Sequence, residues 1–117
     1  MAQTPKNLVT SLPWKVTRPK NKYNARKTRV DDITFDSIKE AKRYMGLKML
    51  RDMGDVLHFH RQVIFDLPGG VTYRCDFQVF WADGRVTYED VKGKKTKEFI
   101  KTKKMVEALY PVIIQEV

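Results

Sequence analysis

The chain has 117 residues and a net charge of +9, from 23 Lys and Arg against 14 Asp and Glu. That length supports one compact core and excludes two full domains. A single cysteine, Cys75, excludes an intramolecular disulfide framework and a multi-cysteine zinc site, and no apolar run approaches the ~20 residues of a membrane span.

The charge points to a polyanionic partner, of which nucleic acid is the commonest. Without disulfides, a membrane span or an apolar leader, the sequence reads as a soluble protein of the reducing cytoplasm. Residues 1–30 hold eight basic residues and no acidic one, and Pro5, Pro13 and Pro19 break any regular period. They read as a flexible basic arm ahead of a domain at 31–117. Trp14 and Tyr23 lie among these charges, placed either to stack on bases or to pin the arm to the core.

A first helix is expected from Asp36 or Ser37 to about Met53. Ser37 and Glu40 have capping-box spacing, and Gly54 offers a left-handed stop. Three strands should follow, within Leu57–Leu67, over about Val71–Trp81 and over about Arg85–Lys92. Pro68-Gly69-Gly70 separates the first two and Ala82-Asp83-Gly84 the last two. A second helix over Thr96–Leu109 ends before Pro111, and Val112-Ile113-Ile114 reads as a short buried strand. The fold class is α/β: helix, three strands, helix, strand, with a central mixed sheet flanked by helices.

The chemistry concentrates on the second and third strands. Residues two apart on a strand share a face, so Asp90 and Lys92 point one way and Glu89 the other. The hairpin turn decides whether Asp76 joins them. A two-residue loop of Asp83-Gly84 sets Asp76 across from Val91. A three-residue loop, with Gly84 in its left-handed position, pairs Trp81 with Arg85 and sets Asp76 across from Asp90. Two carboxylates ~5 Å apart repel unless a cation lies between them. Magnesium suits hard oxygen donors, and a neighbouring lysine can orient water or offset phosphate charge. The plainer alternative is that Asp76 and Asp90 form solvated ion pairs with Arg74 and Lys92. Glu40 is a third candidate acid, or simply closes the capping box with Ser37.

The order of Glu40 on a first helix, Asp76 on the second strand and Asp90-Val91-Lys92 on the third resembles the PD-(D/E)XK nuclease superfamily. Tyr23-Asn24-Ala25-Arg26-Lys27-Thr28, Phe35–Tyr44 and Asp90-Val91-Lys92-Gly93 with Lys95-Thr96-Lys97 are similar to small phage-encoded, Holliday-junction-resolvase-like members. The resemblance covers about residues 23–117. Cys75 stands where the superfamily's name places proline. The resemblance implies a restriction-endonuclease-like core and a Mg2+- or Mn2+-dependent endodeoxyribonuclease acting on branched or duplex DNA. In that role it would serve phage recombination or DNA processing in the host cytoplasm, as a possible homodimer. Asp76, Asp90 and the Val91 carbonyl would bind metal, Glu40 would help place metal or water, and Lys92 would activate water or steady the phosphate. Gln62 is a further candidate for the active face. Hydrolysis would leave a 5′-phosphate.

The DNA-binding candidates are Arg26, Lys27, Arg29, Arg74, Lys94, Lys95, Lys97, Lys101 and Lys104. Lys97, Lys101 and Lys104 follow helical spacing, and Glu98 is the lone acid in that stretch of sequence. His58 and His60 share a strand face but read as ordinary strand residues, and Cys75 as packing. Two other functions compete: a non-catalytic DNA-binding module on the same fold, and a basic RNA-binding protein in which the acid–lysine pattern is chance.

Overall fold

A computed structural model describes residues 27–92 and 94–117. Arg26, Trp14 and Tyr23 lie outside the described residues. The chain divides into two compact units, one up to Met49 and one over Leu50–Val117.

The first unit opens with a hairpin, β1 (Thr28–Val30) and β2 (Ile33–Phe35), with Thr28 paired to Phe35 and Val30 to Ile33. Its two-residue turn places Asp31 and Asp32 at φ +54° and +63°. This left-handed pair suits the twist of a tight hairpin, and Asp is among the residues that tolerate it. Sequence reading placed residues up to 30 in a basic arm; Thr28–Val30 is instead a paired strand. The turn is tied to the helix that follows. The Tyr44 hydroxyl donates to Asp31 Oδ2 at 2.9 Å, and Lys48 pairs with the same oxygen. The Lys48 bond holds the Asp31 carboxyl below its ordinary range.

Helix α1 spans Ile38–Met53, beginning in the first unit and ending in the second. The Glu40 N–H donates to Ser37 Oγ at 3.0 Å, which satisfies one of the donors left open at a helix start. Gly54, at φ +94°, ends the helix as expected.

The second unit is built on a four-stranded sheet in the order β3 (Val56–Leu67), β4 (Val71–Trp81), β5 (Val86–Asp90) and β6 (Ile114–Glu116). The first three strands are antiparallel, and β6 runs parallel to β5, so the sheet is mixed as anticipated. Helix α2 (Lys97–Leu109) starts at Thr96, whose Oγ1 accepts the Phe99 N–H at 3.1 Å. It packs Phe99 and Val106 against Phe65, Leu67, Tyr73, Cys75 and Ile114. No helix among the described residues is long and apolar enough to cross a membrane.

Two boundaries differ from expectation. The third strand stops at Asp90, so Lys92 lies just beyond it. The last strand is Ile114–Glu116 rather than Val112–Ile114. Ile113 is 75% exposed and Ile114 2%, so apolar character marked the segment but alternation chose which isoleucine faces the core.

Candidate functional site

The β4–β5 hairpin sets the register of the acids. The Trp81 N–H donates to the Arg85 carbonyl at 2.9 Å, and the Gly84 N–H to the Trp81 carbonyl at 3.0 Å. Gly84 takes φ +96°. This is the three-residue loop, further fastened by the Arg85 N–H on Asp83 Oδ1 at 3.0 Å. The ladder then runs from Phe80↔Val86 to Phe77↔Glu89. One more step in that register brings Asp76 opposite Asp90. Residues directly opposite in an antiparallel pair share a face. The Val91 N–H donates to Asp76 Oδ2 at 2.9 Å, which orients the Asp76 carboxylate against the end of β5.

The β3–β4 ladder keeps one register through this point, from Arg61↔Phe77 to Val63↔Cys75, and Gln62 sits at φ +59°. Gln62 is therefore level with Asp76 across the ladder.

Asp90 is 1% exposed, so it is not a member of a solvated surface pair. Its two oxygens have different surroundings. Oδ2 accepts a hydrogen bond from the buried Tyr73 hydroxyl and lies 3.8 Å from Lys92 Nζ. Oδ1 is buried and has no hydrogen-bond partner among the described residues. A carboxylate oxygen out of water and without a partner costs free energy and favours a cation at that position. Lys92 is steadied from a second side, its Nζ lying 4.7 Å from the centroid of the Phe99 ring.

Burial, then the Asp90 hydrogen bond, lifts the Tyr73 phenol far above its ordinary range, and the charges of Asp90 and Asp76 add to this. Burial pushes the Cys75 thiol up to about 12, again with both carboxylates contributing. Two neighbouring side chains thus feel both acids. Cys75 should stay unmodified by a thiol reagent at pH 8 in the folded protein and react promptly in denaturant. Fast labelling of native protein would contradict its burial.

A family model described as a protein of unknown function (DUF1064) matches residues 20–116. The chain belongs to the DUF1064 family. No curated protein matches the chain. The DUF1064 match takes in Glu40, Asp76, Asp90 and Lys92.

Glu40 stands on the first turn of α1, in the first unit, and is buried. Among the described residues of this DUF1064 domain no three His, Cys, Asp or Glu form a group that could hold a metal. By extension of the β4–β5 register, Asp76 lies across from Asp90. Glu89 is buried and pairs with Phe77, away from Asp90 by alternation. His58 and His60 have ring centroids 4.5 Å apart and both contact Phe80, as strand residues do.

The basic surface is less uniform than its sequence. Lys97, Lys101 and Lys104 are exposed and, with Ile100 and Met105, line a shallow cavity of about 410 Å³. Lys94 and Arg74 are also exposed. Lys95 instead pairs with Glu116 at 2.8 Å, and Lys103 pairs with it at 2.9 Å, so Glu98 is not the only acid opposing the run. Lys27 pairs with Asp36 at 3.4 Å and Arg29 with Asp32 at 3.2 Å, which tempers both as phosphate ligands. The Lys95 and Lys103 bonds lower Glu116 from its ordinary 4.5 to about 2. The clamp is therefore complete above pH 4.5 and is lost as pH falls to about 2. A carboxyl-detected NMR titration should give Glu116 a midpoint near 2; a midpoint near 4.5 would show the clamp absent in solution.

Sequence reading missed Tyr73, Phe99 and Glu116. Tyr73 is three residues from Asp76, which strict strand alternation places on the other face. The strand pattern therefore gives no sign that Tyr73 reaches Asp90. Glu116 is set beside Asp90 by the parallel β5–β6 pairing, which no local pattern signals.

Proposed function

We propose that this DUF1064 domain is a metal-dependent endodeoxyribonuclease of the PD-(D/E)XK type, with Asp76, Asp90 and Lys92 as its catalytic residues. The single observation behind this reading is the buried Oδ1 of Asp90, without a hydrogen-bond partner among the described residues, on a carboxylate that lies beside Lys92 and, by register, across from Asp76. The order of elements and the mixed sheet fit a restriction-endonuclease-like core. The donors are hard oxygens, as Mg2+ or Mn2+ requires. Asp90 and Asp76 would hold the ion, with the Val91 carbonyl as a further oxygen donor. When bound, the ion supplies a Lewis acid for a phosphoryl oxygen and a more acidic water at the scissile phosphate.

The chain's own residues do the rest. Lys92, held between Asp90 and the Phe99 ring, offsets charge that builds on the phosphate and orients the attacking water. The water oxygen bonds to phosphorus, the bond from phosphorus to O3′ breaks, and a proton passes to O3′, leaving a 5′-phosphate. Lys94, Lys97, Lys101 and Lys104 bear the phosphate backbone through charge. Branched DNA is the preferred substrate class, and a homodimer would place two centres on one junction.

The test is incubation with duplex, single-stranded and four-way-junction DNA, with and without Mg2+, alongside Asp90→Ala. Mg2+-dependent cleavage by the wild type alone, strongest on the junction, is expected. Metal-independent cutting, or equal cutting by the variant, would remove the mechanism. Binding without any cleavage would favour a non-catalytic DNA-binding module.

A further inference from the structure

The two oxygens of Asp90 differ in what they can offer a metal ion. The carboxylate is buried, and its two oxygens are not equivalent: Oδ2 is taken up by the Tyr73 hydroxyl and faces the Lys92 ammonium, whereas Oδ1 has no partner among the described residues. A carboxylate rotating freely about its terminal torsion would offer either oxygen. Tyr73 removes that freedom. Its ring is fixed by packing, with centroids 6.3 Å from Phe65 and 6.4 Å from Phe99. Phe99 is also the ring under Lys92 Nζ, so Tyr73 and Lys92 rest on a common support from α2.

We propose that Tyr73 is a positioning residue for the cation site: its hydroxyl holds Oδ2 of Asp90 and so assigns Oδ1 to a divalent ion. The inference rests on the metal reading, and it concerns Tyr73 rather than the cleavage step. Hydrogen bonds to the far side of a metal ligand typically change affinity by ~10–100-fold. Removing the phenolic oxygen while keeping the ring should therefore weaken metal binding by at least ~10-fold.

The test measures Mn2+ binding to the full chain by the loss of the free-ion EPR signal, in the absence of DNA, for wild type, Tyr73→Phe and Asp90→Asn. Circular dichroism verifies folding of each. Expected are binding by wild type, binding weakened at least ~10-fold in Y73F, and no binding at this site in D90N. Equal binding by wild type and Y73F would overturn the role of Tyr73 and leave the metal reading standing. Equal binding by wild type and D90N, or none by either, would overturn both. A second measurement needs no variant. In wild type labelled with 13C at the tyrosine ring, the Tyr73 Cζ resonance should shift on addition of Mg2+ at concentrations that saturate the Mn2+ site. An unmoved resonance would overturn the proposal even if Y73F failed to fold.

Discussion

Asp90→Asn should abolish cleavage and at the same time make the metal-free protein more stable. The two effects have one cause. Asp90 is 1% exposed, its Oδ1 has no partner among the described residues, and the β4–β5 register sets a second carboxylate, Asp76, across from it. Without a cation this arrangement holds a buried negative charge beside another one. Lys92, 3.8 Å from Oδ2 and partly exposed, offsets only part of it. Replacing the carboxylate with a neutral amide removes the repulsion and the cost of burying charge, while its carbonyl still accepts from Tyr73. The expected gain is ~1 kcal/mol in metal-free buffer. The same change removes the oxygen that would hold the metal, and a loss of at least ~1,000-fold in cleavage rate corresponds to ~4 kcal/mol of transition-state stabilisation. Urea denaturation and single-turnover cleavage, run on the same preparation, measure the two. A variant that lost stability by ~2 kcal/mol would indicate that Asp90 is a structural acid, since its removal would then break a net favourable contact.

Phe77→Ala should cost ~3–5 kcal/mol, a large share of the ~5–15 kcal/mol that holds a domain of this size together. Phe77 is wholly buried, in edge-to-face contact with Phe59 at 6.2 Å between centroids. It is the residue after Asp76 and the last paired residue of β4 against β5 before the acids. Truncation leaves a cavity within that pairing, so the variant should lose stability and, where it still folds, bind Mn2+ less tightly. Phe77→Leu, which refills much of the space, should lose ~1–2 kcal/mol. Equilibrium unfolding in urea gives both values. A loss under ~1 kcal/mol for the alanine variant would mean that the site closes around the gap and that Phe77 is not a support of the register.

Much of this arrangement is legible in the sequence, and where it is not, the reasons are physical. Ser37, Gly54, Thr96 and Pro111 mark helix ends through local hydrogen bonds and backbone limits, so both helices were placed within about two residues of their observed bounds. The three-residue β4–β5 loop was one of two the sequence left open, and the left-handed preference of Gly84 suited it. The β1–β2 hairpin was missed because its turn, Asp31-Asp32, lacks glycine and its strands have three residues each. The bond from Tyr73 to Asp90 was missed because strict alternation sets Tyr73 and Asp76 on opposite faces, and the positive φ of Gln62, a non-glycine residue inside the neighbouring strand, has no signal in the sequence. The Glu116 clamp depends on a parallel contact between distant segments, and sequence spacing has no signal for that. The role of Glu40 rested on the family resemblance, and its local geometry expresses the capping interaction with Ser37.

A cation lying against Oδ1 of Asp90 is the centre of the proposed mechanism. Anomalous diffraction from crystals soaked in Mn2+ locates that ion directly. The predicted result is a peak ~2.0–2.3 Å from Asp90 Oδ1, shared with a carboxylate oxygen of Asp76 and absent in Asp90→Asn crystals. A fully soaked crystal with no peak between these two acids, or with an unchanged peak in the variant, would contradict the account.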